Sequence, residues 1–558
     1  MPARTPAPIL PVVTDVRTDG ADRADSADLA GGAGRAGRLA VLGLGASVAL
    51  FTVTGLLGPS VVALTLPQRA AWRPPYWFDT HPPPWLVVTL ALTGLAVGAL
   101  GLCAGLRAVS AGWKPSPRRL AALGIAGVTA LTLVPPMASG DVLMYAAYGR
   151  IAARGGDPYL TAPAEYLLSA PDPVVAATER PWQTATSVYG PVGTWLQQAA
   201  AWLGGGSTQA TVLGLQVTNS LAFVAVGLLA VRLAGRAPRA RTRAVLCVLA
   251  NPVLAWLVIA GAHNDAQAVV FAVAALVVVR RSPFAAGMLV GLGGAVKLTV
   301  GLYGLALLWA LRRSPRAAAA LCAGSLLTLA GTYVFAGPHV FDRVLAAPSF
   351  VSSGTPWRLL FGPLYLFVMP MPAARAVIAV ASAVTTVLLA ALLWRAVPPA
   401  VRGPVTGAIR GRPADSAGDP AADPTPEAVR VAAVLCLAWV FTTQYSLPWY
   451  DLLAWAPLAG LAAGRLDSMV LARTAMMAAA YVPGRVVDLP AAVGFVTDRI
   501  RDTVTPLVQI AILVWLVRWC LSHRDRPPAV EGVLPTGEDV RTRPERLPTS
   551  GGAGSGTP

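Results

Sequence analysis

Apolar windows of about 20 residues recur from one end of this chain to the other, which is the length the hydrocarbon core of a bilayer demands. Only 13% of the 558 residues are charged, and 55% are hydrophobic. A soluble chain carries about 25% charged residues. The length therefore belongs to one large helical membrane domain and not to several soluble ones. The expected fold class is an all-α polytopic membrane protein.

The windows place spans at 39–64, 85–107, 119–138, 209–233, 243–262, 266–281, 283–296, 298–311, 317–336, 373–396, 431–447, 452–464, 468–483 and 505–522. Several are short, so a bundle of about 12 to 14 transmembrane helices is expected. Residues 1–38 and 523–558 are polar and read as disordered cytoplasmic ends. The Pro-, Gly- and Ala-rich stretch 397–430 reads as a cytoplasmic low-complexity linker within the membrane domain.

The net charge of +17 sits largely between spans. Four tight loops hold Arg107, Lys114, Arg118 and Arg119; Arg232, Arg236, Arg239, Arg241 and Arg243; Arg280 and Arg281; and Arg312, Arg313 and Arg316. None contains an acid. They read as cytoplasmic loops obeying the positive-inside rule, and nucleic-acid binding is not expected. Two consequences follow. The apolar stretch near 190–204 cannot cross, and reads as a helix lying on the outer surface. Residues 283–311 have basic clusters at both ends, so they read as a hairpin of two short helices broken near Gly293-Gly294. Irregular backbone at membrane depth is tolerated where it is buried or lines a cavity.

The five cysteines lie in or beside apolar spans with no CxxC spacing. They read as small core residues. Four histidines in the whole chain give no cluster with metal-ligand spacing.

Polar residues that resist this apolar background are the candidates for chemistry. Asp141, Tyr145 and Tyr148 open the largest outer loop at i, i+4 and i+7, one face of a helix. Asp141 suits a general base toward a hydroxyl; the structural alternative is a helix N-cap. Asn251-Pro252 is followed by Gly261-Ala262-His263-Asn264-Asp265. Three such polar residues in a row are costly near a bilayer unless they serve a cavity, though capping side chains at a turn remain the alternative. Lys297 is one of two lysines in the chain and is flanked by apolar residues. It suits a phosphate, or else snorkels to the interface. Arg358 suits a phosphate through its planar fork, or is a solvated surface arginine. The run Gln444–Asp451 holds aromatics that anchor helices at an interface or stack on a sugar ring.

The run from Gly140-Asp141 to Tyr159, Tyr189-Gly190-Pro191, the Asn251-Pro252 and Ala262–Asp265 pair of motifs, and the isolated Lys297 together resemble the actinobacterial polyprenol-phosphomannose-dependent α-(1→6)-mannosyltransferases of the GT-C superfamily. The resemblance runs from about residue 40 to 522. It implies a GT-C-like bundle in the cell membrane with an extracytoplasmic active site. It also implies a polyprenyl-phosphate-mannose donor, a glycan or lipoglycan acceptor, inverting transfer, and an acidic base in the first large outer loop. By motif, Asp141 matches that base. His263, Asn264, Asp265, Tyr145 and Tyr148 are then catalytic or acceptor-binding, and Lys297 and Arg358 bind the donor phosphate. No cofactor or metal is expected, because basic side chains can hold a monophosphate. Besides membrane lipids, donor and acceptor are the expected partners. The competing readings are a GT-C enzyme using another sugar such as arabinose, and a transporter or flippase of lipid-linked sugars.

Overall fold

The computed structural model describes residues 19–67, 69–342, 350–398 and 423–523. Among these residues there is no strand, only an isolated bridge between Ala63 and Met137. The protein is an all-α polytopic membrane protein. Each of the fourteen apolar windows coincides with helix. Seven of those helices are long and apolar enough to cross a membrane: 32–56, 84–110, 208–233, 238–260, 371–396, 425–442 and 491–523. The other windows form helices that are shorter or, at Pro315–Tyr333, less apolar, so seven full-length spans stand among the described residues beside the short ones that the expected 12 to 14 included.

Helix α1 (Asp19–Leu56) begins inside the segment expected to be disordered. The cause is local: that segment is rich in alanine, the best helix former. Thr425–Thr442 likewise begins inside the expected linker. Residues 399–422 of that linker, and 1–18 and 524–558 of the terminal segments, lie outside the described residues.

Helix α2 (Pro84–Ser110) packs closely on α1. The contact is built from small residues. A side chain at Gly94 would strike Phe51, one at Gly98 would strike Ser47, and Gly43 and Gly101 meet backbone to backbone. Small residues let membrane helices approach closely where no hydrophobic drive exists between them. Ser47 Oγ donates to Gly94 O at 2.7 Å across the same contact.

Helices α3 (Pro117–Thr132) and α4 (Asp141–Ala153) lead into the short α5 (Pro163–Ser169) and α6 (Pro173–Ala176), then α7 (Pro191–Gly204) and α8 (Thr208–Leu233). Helix α7 has 14 residues, a rise of about 21 Å. It is too short to cross a core of about 30 Å, as the charge pattern requires. Helix α8 carries amides on one face that bind the backbones of passing loops. Gln209 Nε2 donates to Arg73 O at 2.8 Å, Gln216 Nε2 to Val134 O at 3.0 Å, and Asn219 Nδ2 to Ala262 O at 2.8 Å. Polar groups in a membrane helix are costly unless paired, and here they fix irregular segments in place.

Helices α9 (Pro238–Cys247), α10 (Pro252–Leu254) and α11 (Asp265–Val278) bracket the turn that holds His263. Helix α12 (Pro283–Gly294) ends at a break, and α13 (Gly301–Ala310) returns from it. Side chains added at Gly293 and Gly304 would meet Val300 and Val290 respectively, so the two helices run antiparallel. The expected hairpin is present, with its break at 295–297. Helix α14 (Pro315–Tyr333) packs along α12.

The four basic loops gather at one end. Arg239 donates to Ser110 O at 2.6 Å. Arg280 pairs with Asp423 at 3.8 Å and Arg312 with Glu427 at 4.0 Å. Gly460 lies against both Leu233 and Val429 and joins the two pairs of loops. Arg243 is buried, held by Asp467 and by the carbonyls of Leu458, Ala459 and Leu461. The candidate chemistry sits at the far ends of α3 and of 238–260.

Candidate active site

Asp141 is the first residue of α4, and the turn before it is held from two sides. Met137 N donates to Ala260 O at 2.7 Å, and Ala138 N to Val62 O at 2.9 Å. Ala138 adopts φ +61, a left-handed conformation that is uncommon outside glycine. The cap position is Gly140, with no side-chain cap bond. Ser139 Oγ accepts from Asp141 N at 3.1 Å. The carboxylate is thus not the helix cap. It faces inward, 3.5 Å from His263 Nδ1. Burial pushes its pKa up to about 6, opposed by Lys297 and by the Ser139 and Trp182 side chains. Tyr145, one turn on, is buried and meets Tyr189 edge-on at 5.1 Å. Tyr148 donates to Ala185 O at 2.7 Å and ties α4 to the loop above it.

The second motif supplies the opposing wall. Asn251 Oδ1 accepts from Val253 N at 3.1 Å and Leu254 N at 3.2 Å, so Asn251 caps the next helical stretch. That stretch widens into a π-type turn over Ala255–Ala260, a feature frequent at functional sites. Ala262 then takes φ +52. Its carbonyl is held by Asn219, whose Oδ1 accepts from Gln267 Nε2 at 2.6 Å. This network presents His263 flat against Trp449, with centroids 3.4 Å apart and planes 15° apart. Burial, aided by Lys297, holds the His263 pKa well below its usual value, so the ring is neutral. Asn264 is buried, and neither of its amide atoms has a partner among the described residues.

Lys297 is positioned by the hairpin break and by the Tyr189-Gly190-Pro191 motif. Val192 N donates to Ala295 O at 3.0 Å, and Gly190 N to Val296 O at 3.3 Å. A side chain at Gly190 would lie 2.3 Å from Ala295 O, so this approach needs glycine. The ammonium donates to Asp265 Oδ2 at 2.7 Å. It also lies 4.9 Å from the Tyr450 ring and 5.9 Å from the Tyr189 ring, within cation–π reach. Lys297 does not simply snorkel: its charge is balanced by a carboxylate and flanked by two aromatic faces.

Asp141, Tyr145, His263, Asp265 and Lys297 are therefore one cluster, with Asn264 in its wall. Arg358 stands apart. Its Nε lies 3.5 Å from Asp502, both side chains are 40% exposed, and no contact joins it to Lys297 among the described residues. Sequence reasoning missed the direct contacts of Trp449 and Tyr450. Their loop is pinned from below, where Arg473 pairs with Asp451 and donates to Ser446 Oγ at 2.8 Å. Thr474 Oγ1 donates to Asp451 Oδ2 at 2.6 Å. The adjacency of Trp449 and Tyr450 to the carboxylate of Asp451 in an otherwise apolar stretch was the available signal. Among the described residues, no group of three His, Cys, Asp or Glu side chains is arranged to hold a metal.

Residues 40–313 match the family model of the alpha-(1->6)-mannopyranosyltransferase N-terminal domain. Alpha-(1->6)-mannopyranosyltransferase A of Corynebacterium glutamicum is 26% identical over 176 residues, 31% of this chain and 35% of the relative. An alpha-(1->6)-mannopyranosyltransferase of Mycobacterium tuberculosis is 31% identical over 143 residues, 24% of this chain and 23% of the relative. A probable one of Mycolicibacterium smegmatis is 32% identical over 146 residues, 24% of each chain. The matched stretches thus span about a quarter to a third of these relatives. No solved structure gives a significant match. The stretch that resembles the alpha-(1->6)-mannopyranosyltransferase N-terminal domain, residues 40–313, is the one that holds Asp141, the His263–Asp265 turn and Lys297.

Proposed function

We propose that this protein is a membrane α-(1→6)-mannosyltransferase that takes mannose from a polyprenyl-phosphate carrier. The observation that carries the reading is the pairing, in one buried cluster, of a carboxylate whose pKa is pushed up to about 6 with an ammonium flanked by two tyrosine rings. The first suits proton abstraction near neutral pH. The second suits a phosphate leaving group.

In this reading Asp141 accepts the proton of the acceptor 6-hydroxyl. That oxygen forms a bond to the anomeric carbon from the face opposite the phosphate. The bond from the anomeric carbon to the phosphate oxygen breaks, and polyprenyl phosphate leaves with the electron pair. Lys297 stabilises the departing charge with the N–H donors that Asp265 does not take. One displacement inverts the centre, so a β-linked donor gives an α product. Neutral His263, stacked on Trp449, walls the carboxylate on one side, and the unpartnered Asn264 amide is available to sugar hydroxyls.

The gathered basic loops favour a cytoplasmic placement for that end. The cluster then opens on the extracytoplasmic face of the cell membrane, where a glycan or lipoglycan acceptor would be met. The test is a membrane assay with several radiolabelled polyprenyl-phosphate sugars. Product from the mannose carrier alone supports the reading. Product from an arabinose carrier alone would replace the sugar, and movement of lipid-linked sugar without transfer would replace the enzyme.

A further inference from the structure

Arg485 lies outside the family-matched residues 40–313, and the mechanism above does not use it. Its side chain is 7% exposed and reaches across to the first loops of the chain. Nε donates to Glu179 Oε2 at 3.0 Å, and Nη2 to Glu179 Oε1 at 2.5 Å. This is the two-pronged arginine–carboxylate geometry that fixes orientation as well as charge. Nη1 donates to Ala63 O at 2.7 Å and to Ser60 O.

Both partners of this ion pair lie against the turn that presents Asp141. A side chain at Gly140 would lie 3.1 Å from Glu179 Oε2, so the carboxylate of Glu179 backs the residue before Asp141. Gly484, beside Arg485, has φ +78 and sits on Ala138, where an added side chain would lie 1.8 Å from Ala138 O. Ala138 is the left-handed residue of that turn, and its N–H bonds to Val62 O beside the carbonyls that Arg485 binds. Residues 60–63, 138–140, 179 and 484–485 thus close on one strained turn. Strained backbone persists where its surroundings over-determine it.

We infer that Arg485, paired with Glu179, is a positioning residue that holds the Ala138–Gly140 turn and thereby aims the Asp141 carboxylate. The C-terminal half then supplies a brace that the matched N-terminal domain lacks. The inference rests on Asp141 being the base. A displacement of about 1 Å at a reacting group costs about 100-fold in rate, which a brace of this kind prevents.

The test uses full-length protein in membranes. Arg485→Met and Glu179→Gln should each lower kcat per folded protein by about 10- to 100-fold, with the donor KM unchanged. Arg485→Lys should recover part of the loss, since it keeps the charge without the fork. Inserted protein is counted in each case, and thermal unfolding is followed. Lower stability with normal kcat would overturn the inference, because it marks a merely structural pair. A second readout needs no substrate. Carbodiimide labelling of Asp141, followed by peptide mass spectrometry, should be several-fold faster in Glu179→Gln than in the parent. Equal labelling would overturn the brace. If the parent transfers no sugar but labelling still changes, the reading of function fails and the brace stands.

Discussion

The Asp141 carboxylate lies 3.5 Å from Nδ1 of His263, although 122 positions separate them in the chain. A non-glycine residue in left-handed backbone precedes each, Ala138 three positions before Asp141 and Ala262 directly before His263. The two turns are joined through Met137 N, which donates to Ala260 O. A displacement of either turn therefore moves the other.

The pH dependence follows from Asp141. A base must be ionised to accept a proton, and burial raises this carboxyl to about 6. Transfer should rise with pH, with an acid limb near 6, and be lost as pH falls through that value. His263, Lys297 and Asp265 face the group, and His263, whose pKa is lowered by burial, adds no limb there. The check is kcat/KM against pH. A limb near 4, the ordinary carboxyl value, would show that a solvated acid is at work.

Lys297 should be tested together with Asp265. Removing the lysine alone leaves a buried carboxylate without its counter-charge, a loss of about 3–5 kcal/mol for buried pairs. Lys297→Ala should therefore insert poorly, and Lys297→Ala with Asp265→Asn should insert well. The double variant should still show a donor KM raised about 10-fold or more, as expected when a charge-assisted bond worth about 1.5–3 kcal/mol is lost. A normal donor KM in that variant would remove Lys297 from phosphate binding.

Gly190→Ala should be severe for its size. The new methyl would meet Ala295 O at 2.3 Å, so the hairpin break must shift and carry Lys297 with it. Donor use should fall about 10-fold or more, by the same positional argument, while Gly301→Ala, which meets no neighbour, should be nearly silent. Equal activity of the two variants would show that the contact does not position Lys297.

Topology gives an independent check. A reporter after Arg316 should be cytoplasmic, and one near Pro171 external. The gathered basic loops motivate the first, and the positive-inside rule supplies the sign. An external signal at 316 would invert the proposed orientation.

The local parts of this site were legible in the sequence, and the long-range parts were not. Asp141 stands at a helix start, His263–Asp265 at a turn between helices, and Lys297 at a helix break, because caps, turns and glycine pairs are written in neighbouring residues. The stacking of Trp449 on His263 and of Tyr450 on Lys297 brings together segments more than 150 positions apart, which no periodicity records. Arg358 was a plausible phosphate clamp by residue type, but its geometry turns it to Asp502. Helix α1 starts ahead of its apolar window because helix propensity, here from alanine, does not depend on hydropathy.

The central claim is that Asp141 is the base, and the most direct measurement is mannosyl transfer per milligram of inserted protein by Asp141→Asn. The carboxylate makes no cap bond, and the amide keeps its volume, so folding and donor binding should survive. The amide cannot accept the hydroxyl proton, and turnover should fall by about 10²–10⁴, the usual contribution of general base catalysis. Near-normal transfer by this variant would contradict the account and move the search for the base to Asp265 and His263.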